Sequence, residues 1–195
     1  MNKLLEGSKV INIINNNDNI QYDIKDNSEI VINLFFDTLK NHNIDIKMNN
    51  NSKLVINYSG LSKDNNDIKI NVSVNGDNNK LIVNGRFISL ENICNVYVDA
   101  FALKNTKDNI IEENLKGINE DGMVMLNPVL RIDTNEINAS HGASIGKFDK
   151  NVLFYLESKG LSEFEAKEII KKCFLYSLFS DNFIKMLQEG NGESE

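Results

Sequence analysis

Short apolar runs broken by polar clusters fill the first two thirds of the chain, and this pattern restricts the fold most. The clearest run is Ile68–Val74, where Ile68, Ile70, Val72 and Val74 alternate with polar residues. A period of two places these four side chains on one face of a strand. The sequence therefore predicts many short β-strands, each with one buried face.

The predicted strands follow one another at intervals of roughly ten residues. They are Lys9–Ile14, Ile20–Ile24, Ile30–Phe35, Ile44–Met48, Leu54–Tyr58, Ile68–Val74, Lys80–Asn84, Ile93–Val98, Met123–Leu126 and Val129–Ile132. A short helix over Glu29–Lys40 is an alternative for the third. The links between strands are too short for crossover helices, which excludes a doubly wound α/β sheet. A sandwich, a barrel and a parallel β-helix all fit this spacing.

Helical periodicity begins after Phe148. Asp149 is a predicted N-cap for a helix over Lys150–Lys159 that stops at Gly160, and Ser162 with Glu165 has capping-box spacing for a second helix. The apolar face of the second helix is predicted to hold Ala166, Ile169, Ile170, Cys173, Phe174 and Leu178. A third helix capped by Asp181 carries Phe183, Ile184 and Leu187. We therefore divide the chain into a strand-rich core, 1–148, and a helical region, 149–195, with a frayed tail from Gly190.

Composition and charge limit the function classes. A net charge of −7 on 195 residues argues against a nucleic-acid or anionic-membrane surface, because phosphates require a basic footprint. No apolar run is long enough to span a bilayer, and the N-terminus shows no signal-peptide pattern, so we expect a cytoplasmic protein. Cys94 and Cys173 form no metal-binding spacing, and Cys173 is predicted to be a packed core thiol.

Asparagine is abundant before residue 100. Tight turns, stacked ladders and drift in base composition can each explain it. We favour drift for most of these residues, with turns at Asn75-Gly76 and Asn84-Gly85.

His141 is the best single candidate for chemistry. It lies in a predicted turn of small residues, Asn138–Gly146, at the junction between the strand and helix regions. Imidazole is a common iron or zinc ligand, but a single histidine needs further ligands, which another subunit could supply. The alternative is a structural histidine that caps the end of the strands. His42, between two asparagines, is predicted to be an exposed turn residue.

The segment from Pro128 to about Leu178 resembles the C-terminal part of the SufB/SufD family of the SUF iron–sulfur cluster assembly system, and is closest to the SufD type. The residues that carry the resemblance are Pro128–Ile132, Ser140–Gly146, Leu153–Leu156, Ser158–Ser162, Glu165-Ala166 and Ile169-Ile170. The chain is about half the usual family length, so we expect a truncated member of the family.

The resemblance implies a short right-handed parallel β-helix followed by a small α-helical region. It implies a scaffold or accessory protein rather than an enzyme, with a SufC-like ATPase and either a SufB/SufD-like chain or a second copy as partners. His141 matches a proposed cluster or iron ligand of the SufD type, so an iron–sulfur cluster or iron would bind transiently. Ala139 stands where SufD-type proteins often have Cys, and the region around Glu112–Leu115 has no counterpart of the SufB-type Cys.

From the helical resemblance we expect Phe174 and Leu178 to contribute to ATPase binding. Two other functions remain open. One is a structural or ligand-binding β-helix module, such as an adhesin or carbohydrate-binding module, with no role in cluster assembly. The other is a metal-dependent enzyme that uses His141 with at least two further ligands.

Overall fold

The computed structural model describes residues 3–189, which form twelve strands and three helices. The strands are β1 (Lys3–Leu5), β2 (Ser8–Ile14), β3 (Ile20–Ile24), β4 (Glu29–Phe36), β5 (His42–Met48), β6 (Lys53–Ser62), β7 (Asn66–Val74), β8 (Lys80–Ser89), β9 (Ile93–Ala102), β10 (Lys107–Asn119), β11 (Met123–Ile132) and β12 (Glu136–Gly146). The helices are α1 (Lys150–Ser158), α2 (Glu163–Tyr176) and α3 (Asp181–Glu189).

The strands form two parallel sheets that the chain visits alternately. The odd-numbered sheet has the order β1-β3-β5-β7-β9-β11, and the even-numbered sheet has the order β12-β10-β8-β6-β4-β2. Each coil therefore adds one strand to each sheet and stacks on the coil before it. The prediction of a short parallel β-helix followed by a small helical region is confirmed.

The core is a stack of in-register apolar rows between the two sheets. Ile68, Ile70, Val72 and Val74 are all buried, as their alternation predicts. On the next coil, Ile68 pairs with Val96 and Ile70 with Val98, so each row continues from strand to strand. Residues between the rows point out of the stack, so the outer faces carry the polar side chains.

An asparagine ladder runs up the outer face of the even-numbered sheet. The amide nitrogen Nδ2 of Asn33 donates to Oδ1 of Asn12 (2.9 Å), Asn57 donates to Asn33 (2.9 Å), and Asn84 donates to Asn57 (3.0 Å). The predicted turn at Asn84-Gly85 is therefore wrong, because both residues lie inside β8.

Other asparagines shape the corners of the coils. Six of them adopt the left-handed conformation that asparagine tolerates better than most residues: Asn15, Asn27, Asn51, Asn78, Asn92 and Asn105. Between β7 and β8, the turn predicted at Asn75-Gly76 is present. The ladder and corner asparagines therefore have the stacked-ladder and tight-turn roles that the sequence also allowed.

His42 is buried, not exposed in a turn as predicted. Its Nδ1 lies 3.0 Å from the hydroxyl of Tyr58, and its Nε2 lies 2.8 Å from the carbonyl oxygen of Asp18. Burial lowers the pKa of His42, although the bond to Asp18 opposes the shift. The prediction failed because His42 starts β5, where its side chain points inward beside Phe36.

Two predictions need correction, and one is confirmed. The two short runs around Pro128 form one strand, β11, whereas the strand predicted over Ile30–Phe35 is present as β4 and the alternative helix is not. The segment predicted as a small-residue turn is instead part of β12, because it pairs residue by residue with β10. Small residues form a strand here because a parallel neighbour supplies the hydrogen bonds.

The predicted helix caps are largely confirmed. The Asp149 side chain accepts a bond from the amide of Asn151, and Ser162 and Glu165 form a complete capping box. Gly160 has the positive φ of a helix stop. Asp181 is not a cap, because α3 begins at this residue and the amide of Ile184 bonds the carbonyl of Ser180.

No helix within residues 3–189 is long and apolar enough to cross a membrane.

The buried face of α2 differs from the prediction. Ala166 and Leu175 are buried, whereas Cys173 and Ile169 are exposed. The packed core thiol predicted at Cys173 is therefore wrong: α2 lies on the sheet through the face that holds Leu175, which turns Cys173 outward.

The helices cover the outer face of the even-numbered sheet. Leu175 and Phe183 pack with Phe35, Ile88 and Ile118 in a second apolar cluster outside the β-helix. The Ser59 hydroxyl donates to the carbonyl of Leu175 (2.8 Å), and Lys171 pairs with Glu120 (2.9 Å). The predicted division at residue 148 falls between β12 and α1, and the predicted frayed tail lies outside the described residues.

Candidate functional site

The β-helix ends at β12, and this end is open. Beyond β12 no further strand covers the even-numbered sheet within residues 3–189. Every residue from Ser140 to Gly146 is exposed, and so are Ile132 and Ile145. We call β11 and β12 together the open end. An uncovered strand edge with apolar side chains offers backbone groups and apolar area to another chain.

His141 lies in the middle of this edge. It pairs in register with Glu113 on β10, as Ala139 pairs with Ile111. In-register partners of parallel strands point to the same side of the sheet, and Ala139 and Ile111 both contact the core. His141 and Glu113 therefore both project toward the interior of the stack, with His141 exposed at its end.

Glu113 is the unusual residue of this region. It is 3% exposed, and neither of its carboxyl oxygens has a hydrogen-bond partner within residues 3–189. Burial, with a smaller effect from the charge of Asp99, raises the pKa of Glu113 to about 8. In the absence of a counter-charge, the carboxyl group is therefore mostly protonated at neutral pH.

The described part of the chain holds no ready-made metal centre. Within residues 3–189 no group of three or more His, Cys, Asp or Glu side chains could hold a metal ion. The thiols are remote from His141: Cys94 is buried near the start of β9, and Cys173 lies on α2. Burial raises the pKa of Cys94 to about 12, which disfavours the thiolate that a metal needs. His141 and Glu113 offer two ligands, so any site here needs further ones.

The helices present a second exposed surface, which we call the aromatic surface. Its members are apolar residues of α1 and α2 that stay in solvent: Val152, Phe154, Tyr155, Phe164 and Ile169. Phe154 and Phe164 are each 73% exposed. Exposed aromatic side chains are common contact residues of protein interfaces, so this surface is a candidate for contact with another molecule.

Phe174 and Leu178 lie elsewhere. Phe174 is half-buried on the side of α2 that faces the sheet, and the guanidinium of Arg86 lies 6.0 Å from its ring centre. Leu178 is half-buried in the turn after α2. Their predicted role in ATPase binding stays a prediction. Because both side chains are half-buried, they pack the helices onto the sheet more than they face a partner.

Sequence reasoning missed Glu113, for a traceable reason. The strand β10 was not predicted, although Ile111, Glu113 and Leu115 have the alternation of an inward-facing row. A glutamate in such a row is a signal of a buried carboxyl group. The exposed aromatics of α1 were also missed, because helical periodicity alone does not show which face the sheet covers.

Comparison with known proteins finds a family that residues 93–174 of the chain resemble. Residues 93–174 match the family model "SUF system FeS cluster assembly, SufBD core domain". The chain is 41% identical to the iron–sulfur cluster assembly protein SufD of Bacillus subtilis over 49 residues, which is 25% of this chain and 11% of the relative. It is 35% identical to Escherichia coli SufD over 51 residues, 26% of this chain and 12% of the relative.

An archaeal relative gives the same result. The SufBD family protein of Methanothermobacter thermautotrophicus is 36% identical over 58 residues, 30% of this chain and 14% of the relative. These alignments thus span only a small part of each relative. The match covers β9–β12, α1 and most of α2, including both the open end and the aromatic surface. Residues 93–174 are therefore similar to the SufBD core domain of the SUF iron–sulfur cluster assembly system.

Proposed function

We propose that this chain is a cytoplasmic, non-enzymatic accessory scaffold in iron–sulfur cluster assembly. It pairs with a SufB/SufD-like chain or a second copy through the open end, and it binds a SufC-like ATPase through its helices. One observation carries the proposal: the segment that matches the SufBD core domain contains both exposed surfaces. The iron or cluster is transient cargo, and His141 is its candidate ligand on this chain.

The aromatic surface supports the ATPase contact. Phe154 and Phe164 leave large apolar area in water, and burying it against a partner supplies binding free energy of about 25 cal/mol per Å² before association costs. Phe174 holds α2 against the sheet and thereby keeps Phe164 in place.

The open end supports pairing. Its strand edge is long, its side chains are mostly small, and Ile145 is 48% exposed. Small side chains let a second strand edge approach closely, and a neighbouring chain would shield Ile145 from water.

A pull-down with a SufC-like ATPase tests the proposal. We expect the wild-type chain to retain the ATPase and the double variant Phe154→Ser/Phe164→Ser to lose at least tenfold in affinity. Both residues are exposed, so the variant should keep its circular dichroism and melting temperature. A matched control is Val10→Ser, an exposed apolar residue on β2, far along the chain from the matched segment.

Retention of the ATPase by the double variant would remove the aromatic surface from the proposal. Retention after deletion of residues 150–188 would overturn helix-mediated binding altogether. A chain that binds neither ATPase nor iron would favour the other candidate, a β-helix module with no role in cluster assembly.

A further inference from the structure

Arg86 stands out on the outer face of the even-numbered sheet because its charge has no counterpart. It is 9% exposed and lies on β8, where its guanidinium is beside the ring of Phe174 of α2. Within residues 3–189 its one hydrogen bond runs from Nη1 to the carbonyl oxygen of the adjacent Gly85 (2.8 Å), and no carboxylate pairs with it. A guanidinium carries five N–H donors, so most of them are left for another group.

The residue in register with Arg86 on β10 adds to the positive charge. Lys116 is paired with Arg86 in the sheet, and neighbouring strands lie about 4.8 Å apart, so both side chains leave the outer face at adjacent points. Lys116 is exposed, and it forms no ion pair within the described chain. Like charges opposite each other on neighbouring strands are destabilising. The pair therefore favours an anion that contacts both side chains.

Other cationic residues of this sheet have acidic partners. Lys53 pairs with Glu29, and Lys80 lies 3.9 Å from Glu112. Each of these pairs joins neighbouring strands, so a carboxylate stands close to each of the two lysines. Arg86 has no such carboxylate on the neighbouring strands, although it is more buried than either lysine.

The flanking positions of the Arg86 row are serines. Ser59 of β6 is in register with Arg86, and Ser144 of β12 is in register with Lys116. The Ser59 hydroxyl donates to the carbonyl oxygen of Leu175, whereas Ser144 is exposed. A hydroxyl can donate a hydrogen bond to an oxyanion and carries no charge that would repel it. Strands β8, β10 and β12 thus offer a line of donors with no negative charge among them.

We propose that Arg86 and Lys116, with the hydroxyl of Ser144, bind a phosphate group on the outer face of the even-numbered sheet, beside α2. The planar guanidinium matches two oxygens of a phosphate, and the ammonium group adds a point charge. The bound anion supplies the counter-charge that both cations lack. The ligand is free inorganic phosphate or the phosphate of a nucleotide, because the donors recognise the group that the two share.

Phosphate titrations of the full chain test the site, by calorimetry and by the melting temperature. An anion that binds the folded state raises the melting temperature as its concentration rises. We expect one phosphate per chain, and a larger rise in sodium phosphate than in sodium chloride of equal ionic strength. A rise that sodium chloride reproduces in full would overturn the proposal, because it would reflect screening of charges alone.

Lys116→Gln is the decisive variant, because Lys116 is exposed and its loss leaves the core intact. It should weaken phosphate binding at least fivefold. The matched control is Lys69→Gln, which removes an exposed lysine from the opposite sheet and should leave phosphate affinity unchanged. Phosphate salts stabilise folded proteins in general, and this effect is the same in both variants. Equal phosphate affinity in wild type and Lys116→Gln would overturn the proposal.

The phosphate-free protein gives a second measurement. Lys116→Gln removes a like charge beside Arg86, so in chloride buffer its melting temperature should equal or exceed that of wild type. In saturating phosphate the order should reverse, because wild type gains more from the bound anion. If the variant melts below wild type by the same amount in both buffers, Lys116 has a structural role and the proposal fails.

ADP identifies the source of the phosphate group. Binding of ADP that is tighter than that of phosphate, and that is weakened by Lys116→Gln, would assign the site to a nucleotide. Equal or weaker binding of ADP would assign it to free phosphate, and binding of neither would overturn the proposal. The site goes beyond the proposed function: its donors lie on the sheet, so loss of ATPase binding in the pull-down would leave it standing.

Discussion

The hydroxyl of Ser59 donates a hydrogen bond to the carbonyl oxygen of Leu175 across 2.8 Å, and this bond joins the β-helix to α2. The last four carbonyls of a helix have no partner within the helix. Leu175 lies in this last turn and is buried, so Ser59 satisfies a group that water cannot reach.

We therefore expect Ser59→Ala to lower the free energy of unfolding by about 1–3 kcal/mol, since it leaves a buried carbonyl unpaired. Urea denaturation followed by circular dichroism measures this. Ser177→Ala is the control, because the Ser177 hydroxyl bonds the Phe174 carbonyl from an exposed position. Equal losses in the two variants would contradict the importance of the buried bond.

The asparagine ladder predicts a graded effect along its length. Asn57 makes two ladder bonds, as donor to Asn33 and as acceptor from Asn84, whereas Asn84 makes one. Asn57→Ala should cost about 2 kcal/mol and Asn84→Ala about half of that, given about 1 kcal/mol per bond. Chemical denaturation compares them, and a larger loss for Asn84→Ala would refute the ladder as a source of stability.

Glu113 should make the metal-free protein less stable as the pH rises. Its pKa is raised from 4.5 to about 8 in the folded state, by burial and then by Asp99. Between pH 4.5 and 8 the folded state therefore holds more protons than the unfolded state, and the free energy of unfolding falls with pH. His141 at the open end is the other titratable group in its row.

Glu113→Gln should remove this dependence, so that the variant matches wild type near pH 4.5 and exceeds it at pH 8 by an amount on the order of a few kcal/mol. Melting curves in the presence of a chelator, collected across that range, give the difference. A difference that stays constant with pH would contradict a buried, neutral carboxyl group.

His42 should resist protonation. Burial lowers its pKa below 6.5, so acid favours the unfolded state, in which the imidazole is free to take up a proton. This contribution to stability is present above pH 6.5 and is lost as the pH falls toward the folded-state pKa. An NMR titration of the ring protons should place the midpoint of His42 below 6.5.

The assignment uses His42→Asn, which leaves His141 as the one histidine signal of the chain. A midpoint at or above 6.5 for the signal that disappears would show that the imidazole is more accessible than its bonds to Tyr58 and Asp18 imply.

The strands could be predicted because apolar alternation reports directly which face of a strand is buried, whereas the choice of a β-helix over a sandwich or a barrel came from the resemblance to the SufB/SufD family. Ile68–Val74 shows this best, and the caps at Asp149 and Ser162 are equally local signals. β12 could not be predicted in the same way. Its small residues have little strand preference of their own, and its conformation depends on pairing with β10, more than twenty residues away.

The candidate site was predictable in part. His141 is conspicuous as a rare residue among small ones, but its partner becomes visible only when Glu113 is placed in register with it. His42 shows the same limit. Its polar neighbours in sequence indicate an exposed turn, whereas its burial depends on contact with Tyr58 on β6, the following strand, in the other sheet. Long-range register decides both environments.

The contacts of the helices with the sheet have a consequence for cooperativity. A bare stack of coils is coupled only between nearest neighbours and can fray from either end. Here Met186 lies 3.9 Å from the Asn12 amide on β2, Leu175 bonds Ser59 on β6, and Lys171 pairs with Glu120 just after β10. The helices thus connect the first coils to the later ones. A protein that binds the helices would therefore affect the stability of all the coils together, and not only of the nearest one.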